Sequence, residues 1–258
     1  MIVRRLAGWA GELLVTLGVL VLLFAAWQLW WTDVVSNRAQ SQIVATLEEG
    51  FAREVAEATS APLPANGIPA ALGDDGAFAV LRIPRFGDDY ARPVIEGTGR
   101  DVLALGIGHY VGTAGPGQVG NFALAGHRTT YGRPLHDIDR LADGDLVVVE
   151  TLATVHVYEV ASREIVLPSD IEVIAPVPSD AGATPSEAVL TLTSCHPKFA
   201  ATERFIVHAG LVESVPRAEW DPARLQLAAG VESRGGNTPT GQPLALRVAS
   251  PRLQDGES

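Results

Sequence analysis

Val189-Leu-Thr-Leu-Thr-Ser-Cys195 alternates apolar and polar side chains up to the only cysteine of the 258 residues, and Phe205-Ile-Val-His-Ala-Gly-Leu-Val212 opens a second such run after an eight-residue return and Arg204. Period-two alternation on both sides of a short return reads as an antiparallel hairpin. Neighbouring strands lie about 5 Å apart, so a hairpin places the Cys195 thiol and the Arg204 guanidinium side by side at one end of the sheet. A further run, Phe122-Ala-Leu-Ala-Gly-His127, ends in a histidine. Cys, His and Arg can thus share one rim. A lone cysteine on a strand can also be a small buried hydrophobe, but Ser194, His196, Pro197 and Lys198 surround this one with polar and turn-forming groups, and nearby cations favour thiolate.

Outward from the hairpin, short β-type runs recur between Gly, Pro and Asp: Phe78 to Ile83, Arg92 to Glu96, Leu103 to Ile107, Asn121 to His127, Asp145 to Thr151 and Val155 to Val166. With the hairpin strands they make eight, which predicts a mainly β domain, a barrel or a sandwich, over residues 78–215. Pro134 to Leu141 reads as a short helix, and the Pro-rich stretch from Asp170 to Ser186 as a long connection beside a groove. From residue 216 to residue 258 the composition turns to Pro, Gly, Ser and Arg, as expected of a mobile tail.

Ahead of the β region, Leu13 to Trp31 is a run of 19 residues that as a helix spans about 28 Å, close to the roughly 30 Å of a bilayer's hydrocarbon core. Arg4 and Arg5 precede it, and Trp27, Trp30 and Trp31 cluster at its far end like an interfacial belt. The positive-inside rule then puts residues 1–12 in the cytoplasm and everything after residue 31 outside, a single-pass topology. Trp30-Trp31-Thr-Asp offers no small-residue cleavage site, which favours an uncleaved anchor over a signal peptide. Residues 32–77 read as a membrane-proximal helix, with Ile43, Leu47, Phe51 and Val55 spaced by fours, followed by the linker Ala61-Pro-Leu-Pro-Ala-Asn-Gly-Ile-Pro-Ala.

Charge and composition narrow the chemistry. Nineteen basic against thirty acidic residues, a net charge of −11 without long blocks, exclude nucleic acid as a partner. One cysteine cannot form an internal disulfide, so an exported domain with a leftover thiol needs a reason for it. Scattered histidines with a single cysteine give no compact metal-ligand cluster, and Gly112-Thr-Ala-Gly-Pro-Gly-Gln-Val-Gly120 lacks the lysine of a phosphate-cradling loop, so no metal and no cofactor is expected. Of the six histidines, His109, His127 and His196 lie beside strand ends, His156 and His208 sit inside alternating strands as structural residues do, and His136 reads as a surface position.

Three motifs in order carry a resemblance to a known family. Ala125-Gly-His127-Arg-Thr-Thr-Tyr-Gly-Arg-Pro, Leu190-Thr-Leu-Thr-Ser-Cys195 and Arg204-Phe-Ile-Val-His resemble the catalytic His, Cys and Arg motifs of sortases, and Gly108-His-Tyr110-Val-Gly-Thr resembles the class E subgroup of actinobacteria. The resemblance covers Phe78 to Val212, with Ser194 standing where threonine is usual in the family. It implies an eight-stranded sortase-type β-barrel with short helices, no cofactor, and a cysteine transpeptidase that cuts the Thr-Gly bond of a C-terminal Leu-Pro/Ala-x-Thr-Gly sorting signal. In that analogy Cys195 attacks the threonine carbonyl, His127 protonates the departing amine and Arg204 stabilises the oxyanion or orients the peptide. Tyr110 matches the tyrosine that recognises alanine at the second signal position, and Ser194 and His196 are expected to help bind substrate. The implied partners are proteins bearing sorting signals and a cell-wall precursor amine of the lipid II type.

Hydrolysis and aminolysis of a thioester draw on the same residues, so the motif alone does not separate transpeptidase from hydrolase. Nor does it fix the proton: with an ordinary thiol pKa of about 8.5, either Cys and His share the proton in reverse or the site shifts the equilibrium. The non-enzymatic alternative is a membrane-tethered β-domain that binds wall components, with Cys195 merely buried.

Overall fold

The computed structural model describes residues 2–57, 68–69, 71 and 75–223. One helix, α1 (Ile2–Glu57), runs through both the apolar segment and the membrane-proximal one. The two helical segments expected from sequence are therefore one rod of 56 residues, about 84 Å long at 1.5 Å per residue. From Leu13 to Phe24 its side chains stand exposed, as those of a lone apolar helix must. By length and composition this helix is able to cross a membrane.

Eight strands then close a barrel: β1 (Ala77–Arg82), β2 (Arg92–Glu96), β3 (Ile107–His109), β4 (Gly120–Ala125), β5 (Leu146–Thr151), β6 (Thr154–Val166), β7 (Ala188–His196) and β8 (Glu203–Pro216). Their order around the wall is β1-β2-β3-β4-β7-β8-β6-β5. Closure leaves no edge strand exposed to pair with another chain. The choice left open between barrel and sandwich thus resolves to a barrel. Phe78, Leu81, Phe122, Leu124, Leu190 and Leu192 are among the side chains that fill it.

β1 is apolar on both faces because both are covered. A bulge between Ala77 and Ala79 shifts its register, and Ala77, Val80 and Ile95 pack outward against Ile43, Leu47 and Phe51 of α1. Leu47 and Phe51 are 1% exposed, and burying each stabilises the docked helix by about 1.5–3 kcal/mol. Arg217, just beyond β8, lays its guanidinium 3.9 Å from the centre of the Phe51 ring and donates from Nε to the Thr151 carbonyl at 2.7 Å. Arg82 pairs with Glu48 of the helix and with Glu150 of β5. The end of α1 is therefore part of the domain, and residues 217–223, expected to belong to a mobile tail, begin as a packed turn.

Two other expectations are corrected. Leu103 to Ile107 is not a strand: Arg100–Leu105 forms a short helix, α2, which carries the chain between the parallel strands β2 and β3. A parallel pair needs a crossover, which no hairpin turn supplies. Pro134 to Leu141 holds only one 3₁₀ turn, Ile138–Arg140. Most of the linker from Ala61 and the tail beyond residue 223 lie outside the described residues.

His156 of β6 is buried near one end of the barrel, its Nδ1 2.9 Å from Ser214 Oγ. Burial pushes its pKa down from the ordinary 6.5 to about 4. The sign follows directly: above pH 6.5 the ring is neutral folded and unfolded, and the group has no effect. Between 6.5 and 4 the unfolded chain binds a proton that the folded chain refuses, so stability falls as pH falls, by about 3 kcal/mol at most. Thermal midpoints at pH 7 and pH 4.5 should show a smaller acid-induced drop in His156→Gln than in the wild type, and equal drops would contradict this.

Candidate active site

Alternation along β4, β7 and β8 decides which side chains meet. Phe122 and Leu124, Leu190 and Leu192, and Val207 and Ala209 point into the barrel. The intervening residues therefore share the outer face. Hydrogen bonds on that face agree: Thr191 Oγ1 donates to Asn121 Oδ1 at 2.7 Å and lies 2.9 Å from His208 Nδ1. Two residues up β7 is Thr193, and two further is Cys195.

The lateral register then sets the neighbours of the thiol. β4 pairs with β7 in parallel, Ala125 opposite Thr193, and the Gly126 amide donates to the Thr193 carbonyl at 3.1 Å. His127, two residues past the end of β4, thus follows the strand beside β7 toward the rim where Cys195 ends its own run. On the other flank β7 pairs with β8 antiparallel, Cys195 opposite Arg204. The order across the rim is His127, Cys195, Arg204.

Each of the three has a distinct environment. Cys195 is half-buried and is a free thiol. His127 packs against the Tyr131 ring, centroids 5.1 Å apart, and its Nε2 is buried with no partner among the described residues. Desolvation by burial, with a smaller push from the Arg100 charge, holds the His127 pKa below its ordinary value. Arg204 donates from one terminal nitrogen to the carbonyls of Ala201 and Glu203, at 3.1 and 2.8 Å. Those bonds hold its stem along the β7–β8 return.

Tyr110, immediately after β3, places its hydroxyl 3.0 Å from Thr193 Oγ1, on the same outer face as the thiol. Behind it His109 is fully buried, Nδ1 2.7 Å from Glu96 Oε2 and Nε2 2.8 Å from Thr113 Oγ1. These bonds fix the turn that carries Tyr110, so His109 has a structural position. Ser194 points the other way: it is 3% exposed and its hydroxyl donates to the Gly126 carbonyl at 2.8 Å. It ties β7 to the exit of β4 and does not present that proton to the groove. His196 lies tilted against Phe205, ring centroids 5.8 Å apart, and accepts at Nδ1 from Arg128, 2.8 Å, which assigns its own proton to Nε2. His136, expected at the surface, is partly buried with Nδ1 2.8 Å from the Arg128 carbonyl oxygen.

Arg128 itself had no role in the sequence reading. It is 3% exposed, donates to the Cys195 carbonyl at 3.2 Å, pairs with Asp139 at 2.9 Å and lies 5.5 Å from the centre of the Phe205 ring. A buried cation thus braces the backbone of the cysteine from behind. Its only sequence signal is its place directly after the histidine. Among the described residues, no group of three or more His, Cys, Asp and Glu is placed to hold a metal ion.

Residues 81–212 match the sortase domain family. The chain is 37% identical over 225 residues to sortase SrtE1 of Streptomyces coelicolor, an alignment covering 83% of this chain and 60% of that protein's length. Among solved structures, sortase E from Streptomyces avermitilis matches with a TM-score of 0.53 at 43% identity, over 58% of this chain and 97% of that one. Sortase E1 from S. coelicolor, with a tripeptide in the active site, matches with a TM-score of 0.53 at 38% identity, over 61% and 99%.

Arg128→Met keeps the stem but removes the charge that the Cys195 carbonyl, His196 and Asp139 share. The urea unfolding midpoint should fall by the equivalent of about 2–4 kcal/mol. A midpoint equal to that of the wild type would show that the cation braces nothing.

Proposed function

Since this chain belongs to the sortase family, on its class E branch, we propose that it is a membrane-anchored cysteine transpeptidase that cleaves the Thr-Gly bond of Leu-Ala-x-Thr-Gly or Leu-Pro-x-Thr-Gly sorting signals. The observation that carries this reading is the strand register, Ala125 opposite Thr193 and Cys195 opposite Arg204, which brings His127, two residues past β4, to the rim of Cys195 and Arg204. Attack on a peptide carbonyl needs a nucleophile, a proton carrier for the leaving amine and a donor for the oxyanion. These roles are assigned in turn: Cys195 attacks, His127 carries the proton and Arg204 donates to the oxyanion.

The lowered pKa of His127 suggests how the proton moves. At neutral pH the imidazole rests neutral, so the proton it delivers to the glycine amine is the one it takes from Cys195 during attack. The thiolate sulfur bonds to the threonine carbonyl carbon, the C–N bond breaks, and the glycine leaves as a neutral amine. An incoming amine reverses the relay: it bonds to the thioester carbon, passes its proton through His127, and returns the thiol. Arg204 is assigned to donate to the carbonyl oxygen from guanidinium nitrogens other than the one bound to Ala201 and Glu203.

The peptide is assigned to the outer face of β4 and β7, where Tyr110 reaches Thr193 two residues from the thiol. Tyr110 is the residue assigned to the alanine at the second signal position. The acceptor is assigned as a cell-wall precursor amine of the lipid II type, and α1 as a single-pass anchor with its N-terminus in the cytoplasm. Trp31, at the end of the apolar run, is two residues from Asp33, which bonds to the loop after His127. On this topology the site lies close to the outer membrane surface, where a lipid-linked acceptor is also held.

Full-length protein in detergent, given a Leu-Ala-x-Thr-Gly peptide and a glycine-type amine, should yield the ligated product by mass, with free acid as a minor product. Cys195→Ala should form neither; persistent turnover would remove the proposed nucleophile. Arg204→Lys should lower the rate at least tenfold, because an ammonium cannot reproduce the planar fork. Tyr110→Ala should change the ratio of Ala to Pro peptides turned over, and an unchanged ratio would leave Tyr110 a packing residue.

A further inference from the structure

The loop that follows His127 is held in place from outside the barrel. Tyr131, Gly132 and Arg133 are three consecutive residues with positive φ, 53°, 75° and 49°. For Tyr and Arg this left-handed region is unfavourable, and such backbone persists only where its surroundings enforce it. The enforcing groups come from α1. Asp33 Oδ1 accepts the Gly132 amide at 3.1 Å, and its Oδ2 pairs with Arg133 Nε at 3.0 Å. Gln40, fully buried, donates from Nε2 to the Tyr131 carbonyl at 3.0 Å. Between them Asn37 lies so close that a Cβ on Gly132 would fall 2.8 Å from its Oδ1.

Asp33, Asn37 and Gln40 stand at i, i+4 and i+7, a single polar stripe two turns long on one face of the helix. The stripe grips backbone rather than side chains, so it reads the loop's conformation. What the loop then presents is Tyr131, which lines an open pocket together with Trp31, Val35 and Leu105 and packs its ring against the His127 imidazole. His127 Nε2 has no partner of its own among the described residues. Its ring is therefore held by packing, and the packing is held by the helix.

We propose that Asp33 and Gln40 are positioning residues of the active site, which act through Tyr131 to hold His127 beside Cys195, so that the outer end of the membrane helix is a working part of the catalytic apparatus. This rests on His127 being the proton carrier. A reacting group displaced by about 1 Å commonly costs as much as a hundredfold in rate. Loss of the stripe should therefore appear in kcat, with KM for the peptide little changed, because the peptide-binding face of β4 and β7 is not touched.

The test compares full-length protein in detergent with Asp33→Ala/Gln40→Ala, Asp33→Asn and Glu48→Gln. The first removes both grips. The second keeps an acceptor for the Gly132 amide. The third weakens helix docking at the Arg82 pair, remote from the loop, and controls for general destabilisation. Two readings are taken on each: kcat and KM with the sorting-signal peptide, and the His127 titration followed by NMR, assigned by its loss in His127→Gln. The double variant should lose at least tenfold in kcat, while its His127 pKa rises toward the ordinary value as the ring gains water beside Tyr131 and Arg100. Asp33→Asn should retain most of the wild-type kcat, and Glu48→Gln should match the wild type in both readings. An unchanged kcat and titration in the double variant, or an equal loss in Glu48→Gln, overturns the proposal. If instead the wild type turns over no peptide while the His127 titration moves as described, the clamp stands and the transpeptidase reading fails.

Discussion

The lateral register of three strands is the constraint on which the site depends. Ala125 opposite Thr193 and Cys195 opposite Arg204 are backbone facts, set by ladder hydrogen bonds, and they bring Cys195, Arg204 and the chain leaving β4 at His127 to one rim before any side chain interacts. A slip of one residue in β7 would turn Cys195 into the barrel and Ser194 out of it, since side chains alternate with period two. The register is protected accordingly. Leu190 and Leu192 must remain in the core, Ser194 is bonded to Gly126, and Thr191 is bonded to Asn121 across the outer face.

Around that register a second layer stabilises particular orientations. Arg128 fixes the carbonyl of Cys195 and the tautomer of His196 with one guanidinium. Glu96 and Thr113 hold the buried His109, and through it the turn bearing Tyr110. On the far flank the polar stripe of α1 fixes the loop after His127. Several buried polar groups of this domain, His109, Arg128, Thr193 and Ser194 among them, surround that rim, and their partners come from elements far apart in sequence. That distribution explains why a single apolar core is not the whole account of the fold.

Much of this could be read from the chain itself. Alternation in Val189 to Cys195 and Arg204 to Val212 gave the hairpin, and a hairpin brings Cys195 opposite Arg204 by arithmetic. His127 required more, because β4 joins β7 in parallel across a long connection, and period-two patterns carry no information on which strands are neighbours. Leu103 to Ile107 was misread for a related reason: a short apolar run fits one turn of helix and one strand equally well, and only the need for a crossover between parallel strands decides it. The continuity of α1 was hidden by a change of environment at Trp31, where the apolar face narrows without any break in the helix. Arg128 was invisible because an arginine after a strand is ordinarily solvated. Asp33, Asn37 and Gln40 form a legible stripe, but nothing in their spacing names the loop they hold.

The central claim is that the Cys195 sulfur, between an imidazole and a guanidinium, forms a bond to the substrate carbonyl. It is tested most directly by acid-quenching full-length protein during turnover of a sorting-signal peptide and measuring its intact mass, with fragmentation to locate the adduct. The account predicts an added mass equal to the peptide acid ending at threonine less one water, carried on Cys195 and removed by hydroxylamine. Turnover with no adduct on Cys195, or with an adduct on another residue, would contradict it.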